Sequence, residues 1–376
     1  MSVSRIFPCP IIAFFLAGAV AAGAAAPAMA KDGAAYQVHA LVSDGASAAD
    51  HTDPNLVNAW GVAFNPFGFV WVANNHTGTA TLYDGTGNPQ SLVVAIPNPA
   101  GASGGSPTGI VYNASNAFTV SNGAATGPSR FLFATEDGVI AGWAPNVDLA
   151  HAQRAVDNSA SGAIYKGIAL SAGGAGQLLY ATDFHNGKVD VFDSKFMPVN
   201  LPAGAFVDAR IPYGFAPFGI QAINGDIYVT YAKQDADRHD DVHGPGLGYV
   251  DAYDPNGKLL RRVASRGPLN APWGVALAPA GFGRLGGSLL VGNFGDGRIN
   301  AYDPTPNLFA FGLPLGNLRD SQRRPIEIDG LWGIAFGSGF ANQPVDTLFF
   351  AAGPGDEARG AYGRIDAVAP GDDSDD

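Results

Sequence analysis

A short phrase recurs six times along the chain: one residue, most often aromatic, then glycine, then an aliphatic residue. It reads Trp60-Gly61-Val62, Thr108-Gly109-Ile110, Lys166-Gly167-Ile168, Phe218-Gly219-Ile220, Trp273-Gly274-Val275 and Trp332-Gly333-Ile334. The glycines stand 48, 58, 52, 55 and 59 residues apart. Most are followed by a β-rich run, a turn of Gly, Asn and Asp, and a second run that ends in an aromatic-Asp pair. A repeat of that length, built from short strands, points to a β-propeller. The expected fold is therefore all-β, with six blades around one axis. The 51 glycines and 27 prolines fit many short strands joined by tight turns, and long amphipathic helices are hard to find.

The fifth repeat is the most regular, with strands expected at 273–277, 288–292 and 298–302, and a turn at Asn293-Phe294-Gly295-Asp296-Gly297. The first and third repeats follow it, turning at 74–78 and 183–187. The fourth carries an insertion, Ala232 to Gly248, between its second and third strands. The second is irregular, with Phe118-Thr119-Val120 as an extra short strand. The sixth has strands at 332–336, 347–351 and 361–366 but no fourth. The strand-like stretch Tyr36 to Val42 is placed to supply it, closing the ring and hiding the sheet edge. Asp84, Asp193, Asp254 and Asp303 each follow an aromatic residue and read as turn caps. A Cβ at the repeated glycine would crowd the neighbouring inner strand. The aromatic before it is expected to fill the gap between adjacent sheets.

Residues 1–30 read as a signal peptide: Arg5, an apolar core from Ile11 to Val20, and a small-x-small site at Ala28-Met29-Ala30. Processing would leave a secreted or periplasmic protein starting near Lys31. It would remove Cys9, the single cysteine, and with it any disulfide or thiolate chemistry. No second apolar stretch approaches spanning length, so no transmembrane segment is expected after cleavage. The propeller is expected over 36–368, with 369–376 an acidic, disordered tail. The formal charge of −12 leaves no broad cationic footprint. The one dense basic patch, Arg319 with Arg323-Arg324, reads as a solvated loop, so nucleic acid is not an expected partner.

The stretch from Pro272-Trp273-Gly274-Val275-Ala276 through Asn293-Phe294-Gly295-Asp296-Gly297 to Tyr302-Asp303 resembles an NHL-type repeat. The chain from about 36 to 368 also resembles an uncharacterised family of exported bacterial propellers. That likeness rests on Asn58-Ala59-Trp60-Gly61-Val62-Ala63, Ala134-Thr135-Glu136-Asp137-Gly138, Ala181-Thr182-Asp183-Phe184-His185-Asn186-Gly187 and Ala232-Lys233-Gln234-Asp235-Ala236-Asp237. It implies a six-bladed fold and export, and brings no known reaction. Some members of that family carry a carboxyl-terminal sorting segment, which the ending Gly371-Asp372-Asp373-Ser374-Asp375-Asp376 does not resemble.

Strand direction gathers the chemistry on one face. The start of each inner strand and the end of each second strand lie on the same side, which collects Asn58, Asn270, Asp329, Asn75, Glu136, Asp183, Asn293 and the blade-four insertion. Oxygen-only ligands suit Ca²⁺ or Mg²⁺. The candidate metal set is Asn75, Asp183 and Asn293, against the alternative that these residues simply make turns. The insertion concentrates Asp235, Asp237, His239, Asp240, Asp241 and His243 as a solvated or partner-binding loop. Its Asp-x-Asp start lacks the Gly and Glu of a calcium loop. Gly101-Ala102-Ser103-Gly104-Gly105 fits G-x-S-x-G but lies outside a strand-to-helix elbow. Two functions stay open. One is a non-catalytic binding or scaffold propeller for a protein, polysaccharide or small ligand. The other is a metal-assisted lactone or ester hydrolase, an activity NHL-like folds can host. It would use Asn75, Asp183 and Asn293 for the cation, and Glu136 or Asp183 to activate water.

Overall fold

The computed structural model describes residues 35–173, 176–305 and 314–368, together with Met1 and Gly312. The expected signal peptide and acidic tail lie outside the described residues.

Six antiparallel sheets follow one another around the ring. Their inner strands are Ala59–Phe64, Pro107–Tyr112, Tyr165–Gly173, Phe215–Ile223, Pro272–Leu277 and Leu331–Phe336. The protein is a six-bladed β-propeller. Blades one, two and five each have four strands in simple order, and blade three has three among the described residues. Blade six takes its fourth strand from Ala35–Ser43, antiparallel to Ala361–Val368, and His51–Thr52 adds a short parallel fifth. The expected closure is thus present, one residue longer at each end than the sequence indicated. Tyr36 anchors it: its hydroxyl donates to the Phe282 carbonyl of blade five and accepts from the Leu285 amide.

Every inner strand carries the same bulge. Trp60 and Gly61 together oppose one residue of the neighbouring strand, since Ala59 pairs with Asn74 and Val62 with Val72. The same offset recurs at Thr108-Gly109, Lys166-Gly167, Phe218-Gly219, Trp273-Gly274 and Trp332-Gly333. A bulge re-aims the side chain of its first residue. Glycine follows because the next blade is so close. A Cβ on Gly61 would come within 2.6 Å of the Thr108 carbonyl, and one on Gly333 within 2.5 Å of the Trp60 carbonyl. The last blade abuts the first, so the contact series closes on itself.

The bulged aromatics gather at the axis instead of filling the gaps between adjacent sheets, which corrects the expectation from the sequence. Trp60, Phe218, Trp273 and Trp332 form one buried cluster with Phe184 and Ala232, and Phe294 packs against it. Trp60 and Trp332 stack with centroids 3.6 Å apart, and Phe294 stacks on Trp332 at 4.0 Å. Apolar clusters between successive blades make up the rest of the core. Below the aromatic plug, Gly61, Gly109, Gly274, Gly333 and neighbouring aliphatic residues line an axial space of about 30 Å³, room for one water.

Two irregular regions resolve into hairpins. In blade two, Thr119–Ser121 pairs with Thr126–Pro128. In blade four, the second strand does not stop at Tyr231 but continues through Gln234, and Lys233 and Gln234 pair with Val242 and Asp241. The insertion is therefore an extension of the blade, not a free loop. Asp84, Asp193, Asp254 and Asp303 accept from backbone amides two residues on, as turn caps do. Two of the three arginines in the basic patch are held within its own loop: Arg324 pairs with Asp320, and Arg319 donates to the Arg323 carbonyl.

Candidate functional site at the axial mouth

Side-chain phase decides which of the gathered residues face the axis. Asn74, Thr135, Asp183, Tyr231, Asn293 and Ala352 occupy equivalent positions, each paired with the residue two before its blade's repeated glycine. The next residue in each blade is Asn75, Glu136, Phe184, Ala232, Phe294 or Gly353. Successive residues of a strand face opposite ways. Phe184, Ala232 and Phe294 join the axial cluster, and the amide of Asn75 donates to Glu136 Oε2 at 2.8 Å.

The candidate metal set mixes these two phases. Asp183 and Asn293 serve their own turns. Asp183 Oδ1 accepts from the amides of Ile164 and Asn186, and Oδ2 accepts from Asn186 Nδ2 at 2.7 Å. Asn293 donates to the Pro268 carbonyl and to Asp296, although its Oδ1 is buried without a partner. The hydrogen bonds bring Asn75 to Glu136 and leave the other two apart from it.

The centre of the mouth is Lys166, which sequence reasoning did not single out. It fills the bulge position where other blades carry Trp, Phe or Thr, and it is 1% exposed. Its ammonium pairs with Glu136 Oε1 and lies 3.2 Å from Asp240 Oδ1. It also sits 5.1 Å from the centroid of the Trp60 ring, within cation–π range. Burial opposes its charge, but Glu136 and Asp240 outweigh that and raise its pKa. The signal was legible: Lys166 is the one charged residue before a repeated glycine.

A connected polar chain runs around this centre. Trp332 Nε1 donates to Asn58 Oδ1, and Asn58 Nδ2 lies 3.4 Å from Asn75 Oδ1 and from His76 Nε2. Trp273 Nε1 donates to the Lys166 carbonyl. Asn270 accepts from the Gly244 amide and so fastens the base of the blade-four hairpin. At its tip, Asp235 Oδ1 accepts from the His239 amide, and His239 Nδ1 lies 2.9 Å from Asp240 Oδ1. Asp237 is exposed on that tip. Asp329 caps a blade-six turn by accepting from the Gly355 amide.

Four carboxylates crowd the single ammonium, and their environments differ. Interaction with Lys166 and His239 overcomes burial to hold Asp240 below the usual carboxylate range. Burial pushes Asp241 up to about 6 against the pull of Lys166 and His243. Burial and the neighbouring Glu136 push Glu357 up to about 7. Sequence reasoning missed Glu357 because it follows the sixth blade's second strand outside any repeated phrase.

Fold and site together define a six-bladed propeller with an aromatic-sealed axis and an acidic mouth under a hairpin. No family model matches the chain. It is 37% identical over 308 residues to uncharacterized protein R648 of Acanthamoeba polyphaga mimivirus, covering 80% of this chain and 73% of that protein. It is 34% identical to uncharacterized protein L690 of the same virus, covering 80% and 79%. The chain belongs to the family of these proteins. A structural genomics protein of unknown function from Bacteroides thetaiotaomicron shares the fold at a TM-score of 0.55 and 12% identity, over 89% of this chain and 76% of that one. Among the described residues, no helix is long and apolar enough to cross a membrane.

Proposed function

We propose that the protein is an exported binding or scaffold propeller, whose ligand-facing surface is the acidic mouth and the blade-four hairpin. The observation that carries this reading is the commitment of Glu136. Its two oxygens are taken by Lys166 and Asn75, so a fixed ammonium occupies the place where a hydrolytic cation and base would act. The aromatic plug beneath closes the axis to a substrate. The exposed tip, with Asp235, Asp237, His239 and Asp240, then suits a partner with basic surface groups, a lysine-rich protein segment first.

Export is part of the same proposal. It rests on the amino-terminal pattern and on the resemblance to exported bacterial propellers, and amino-terminal sequencing of protein from the native host should begin near Lys31.

The deciding experiment has two arms. Binding of a lysine-rich peptide to the mature chain should weaken with salt and with Asp235→Asn/Asp237→Asn. A panel of lactones and esters, with and without Ca²⁺ or Mg²⁺, should show no turnover above background. Turnover lost in Glu136→Gln would establish the hydrolase in its place.

A further inference from the structure

The blade-four hairpin also walls a cavity that is separate from the mouth. It lies between blades three and four, holds about 290 Å³, and is lined by neither Lys166, Glu136, Asp240 nor Glu357. That volume is close to the lower end of ligand pockets, roughly 300 Å³. Phe206, Phe215 and Tyr231 give it an aromatic wall, and Tyr213 stands on its rim, 97% exposed. Gln234 lines it too. Gln234 Nε2 is committed to the Phe184 and His185 carbonyls, which leaves Oε1 as an acceptor with no donor among the described residues.

One charged side chain on this cavity is uncommitted. Asp208, also on the wall, takes both Arg210 and Arg262, and Arg262 reaches Asp251 as well. Arg238 lines the cavity from the hairpin tip and has no ion pair or side-chain hydrogen bond among the described residues. Asp235 and Asp237 share its turn, yet neither pairs with it. An independent observation comes from the backbone. Arg238 and Phe206 both stand at a φ of 56°, in the left-handed region that glycine or asparagine enters more cheaply. Two non-glycine residues held there on one small cavity mark it as a built feature, since such strain gathers at ligand clamps.

We infer that this cavity binds a uronic acid residue of an acidic polysaccharide. A guanidinium forks onto a carboxylate through two parallel hydrogen bonds, which gives Arg238 its partner. The exposed Tyr213 ring supplies a face for the sugar ring, and Gln234 Oε1 accepts from a hydroxyl. A ring without hydroxyls would leave that acceptor unused, so the saccharide is favoured over an aromatic carboxylate. The ion-paired wall behind Asp208 keeps the cavity formed without ligand. The site goes beyond the binding reading of the mouth: a protein that ignores lysine-rich peptides would still bind uronates, so the two fail separately.

The test is isothermal titration calorimetry of the mature chain with a linear galacturonate tetramer. The uncharged galactose tetramer and benzoate are the comparison ligands. The galacturonate tetramer should bind saturably, near one equivalent, and more tightly than either. Glycine adopts the Arg238 backbone freely, so Arg238→Gly should melt close to wild type while affinity falls roughly 10–100-fold. Tyr213→Ala removes an exposed ring and should weaken binding roughly 3–10-fold. Absence of saturable binding overturns the inference, as does unchanged affinity in Arg238→Gly or equal binding of the galactose tetramer. Benzoate bound as tightly as the uronate would assign the cavity to aromatic carboxylates and overturn the saccharide.

Discussion

Trp60 of the first blade and Trp332 of the last stack face to face, with centroids 3.6 Å apart and planes 20° apart. The stack lies across the seam where the ring closes, and Trp332 also donates to Asn58 at the start of blade one. Seam closure therefore depends on the axial plug as well as on the outer strand. Trp332→Ala should cost about 3–5 kcal/mol, the range for truncating a large buried aromatic. Chemical denaturation would measure it. A loss under about 1 kcal/mol would show that the plug is dispensable.

The outer half of the closure is tested separately. Removing residues 35–43 exposes the edge of Ala361–Val368 and strips Tyr36 from its two blade-five partners. An unpaired edge is prone to pairing between molecules. The truncated chain should melt well below the full domain and associate on size-exclusion chromatography. Unchanged melting would mean that five sheets and a three-stranded sixth hold the ring unaided.

The six-bladed ring and its closing strand were legible because periodic glycines and turn residues report local backbone demands. The bulge was not legible, although it explains the same glycines, because it appears only once strand register is known. Without register, Asp183 and Asn293 could not be separated from Asn75, which lies one residue further along an equivalent strand. That single step in phase turns a side chain from the axis into its own turn. Lys166 stood in plain view within the repeated phrase, but its meaning depended on Glu136 and Asp240, 30 and 74 residues away. Contacts of that separation leave no local pattern.

Glu357 makes stability depend on pH in a stated direction. Its ordinary pKa of 4.5 rises to about 7 in the fold, through burial first and then the charge of Glu136. Folded protein thus binds more protons than unfolded protein between those values. Its stabilising contribution is full below pH 4.5 and is lost as pH rises through 7. Asp241 and Asp251, both pushed up to about 6, act in the same sense. Carboxylates held low, such as Asp84, act in the opposite sense only below about pH 4. The melting temperature should fall between pH 5 and pH 8, and Glu357→Gln should flatten part of that slope. A rising slope over this window would contradict the assignment.

Lys166 offers the sharpest test of the mouth. Lys166→Met keeps much of the volume against Trp60 and Phe184 but removes the charge that faces Glu136 and Asp240. Glu136 would keep only its bond from Asn75, in surroundings where its side chain is 15% exposed. Breaking a fully buried pair costs about 3–5 kcal/mol. Asp240 is mostly solvated, so about 2–3 kcal/mol is expected here. Lys166→Met/Glu136→Gln leaves no unpaired buried charge and should recover most of that loss. The coupling energy from the double-mutant cycle, measured by urea denaturation, separates the ion pair from simple packing. Additive losses would mean that Lys166 acts as a spacer on the aromatic plug and that its charge contributes nothing.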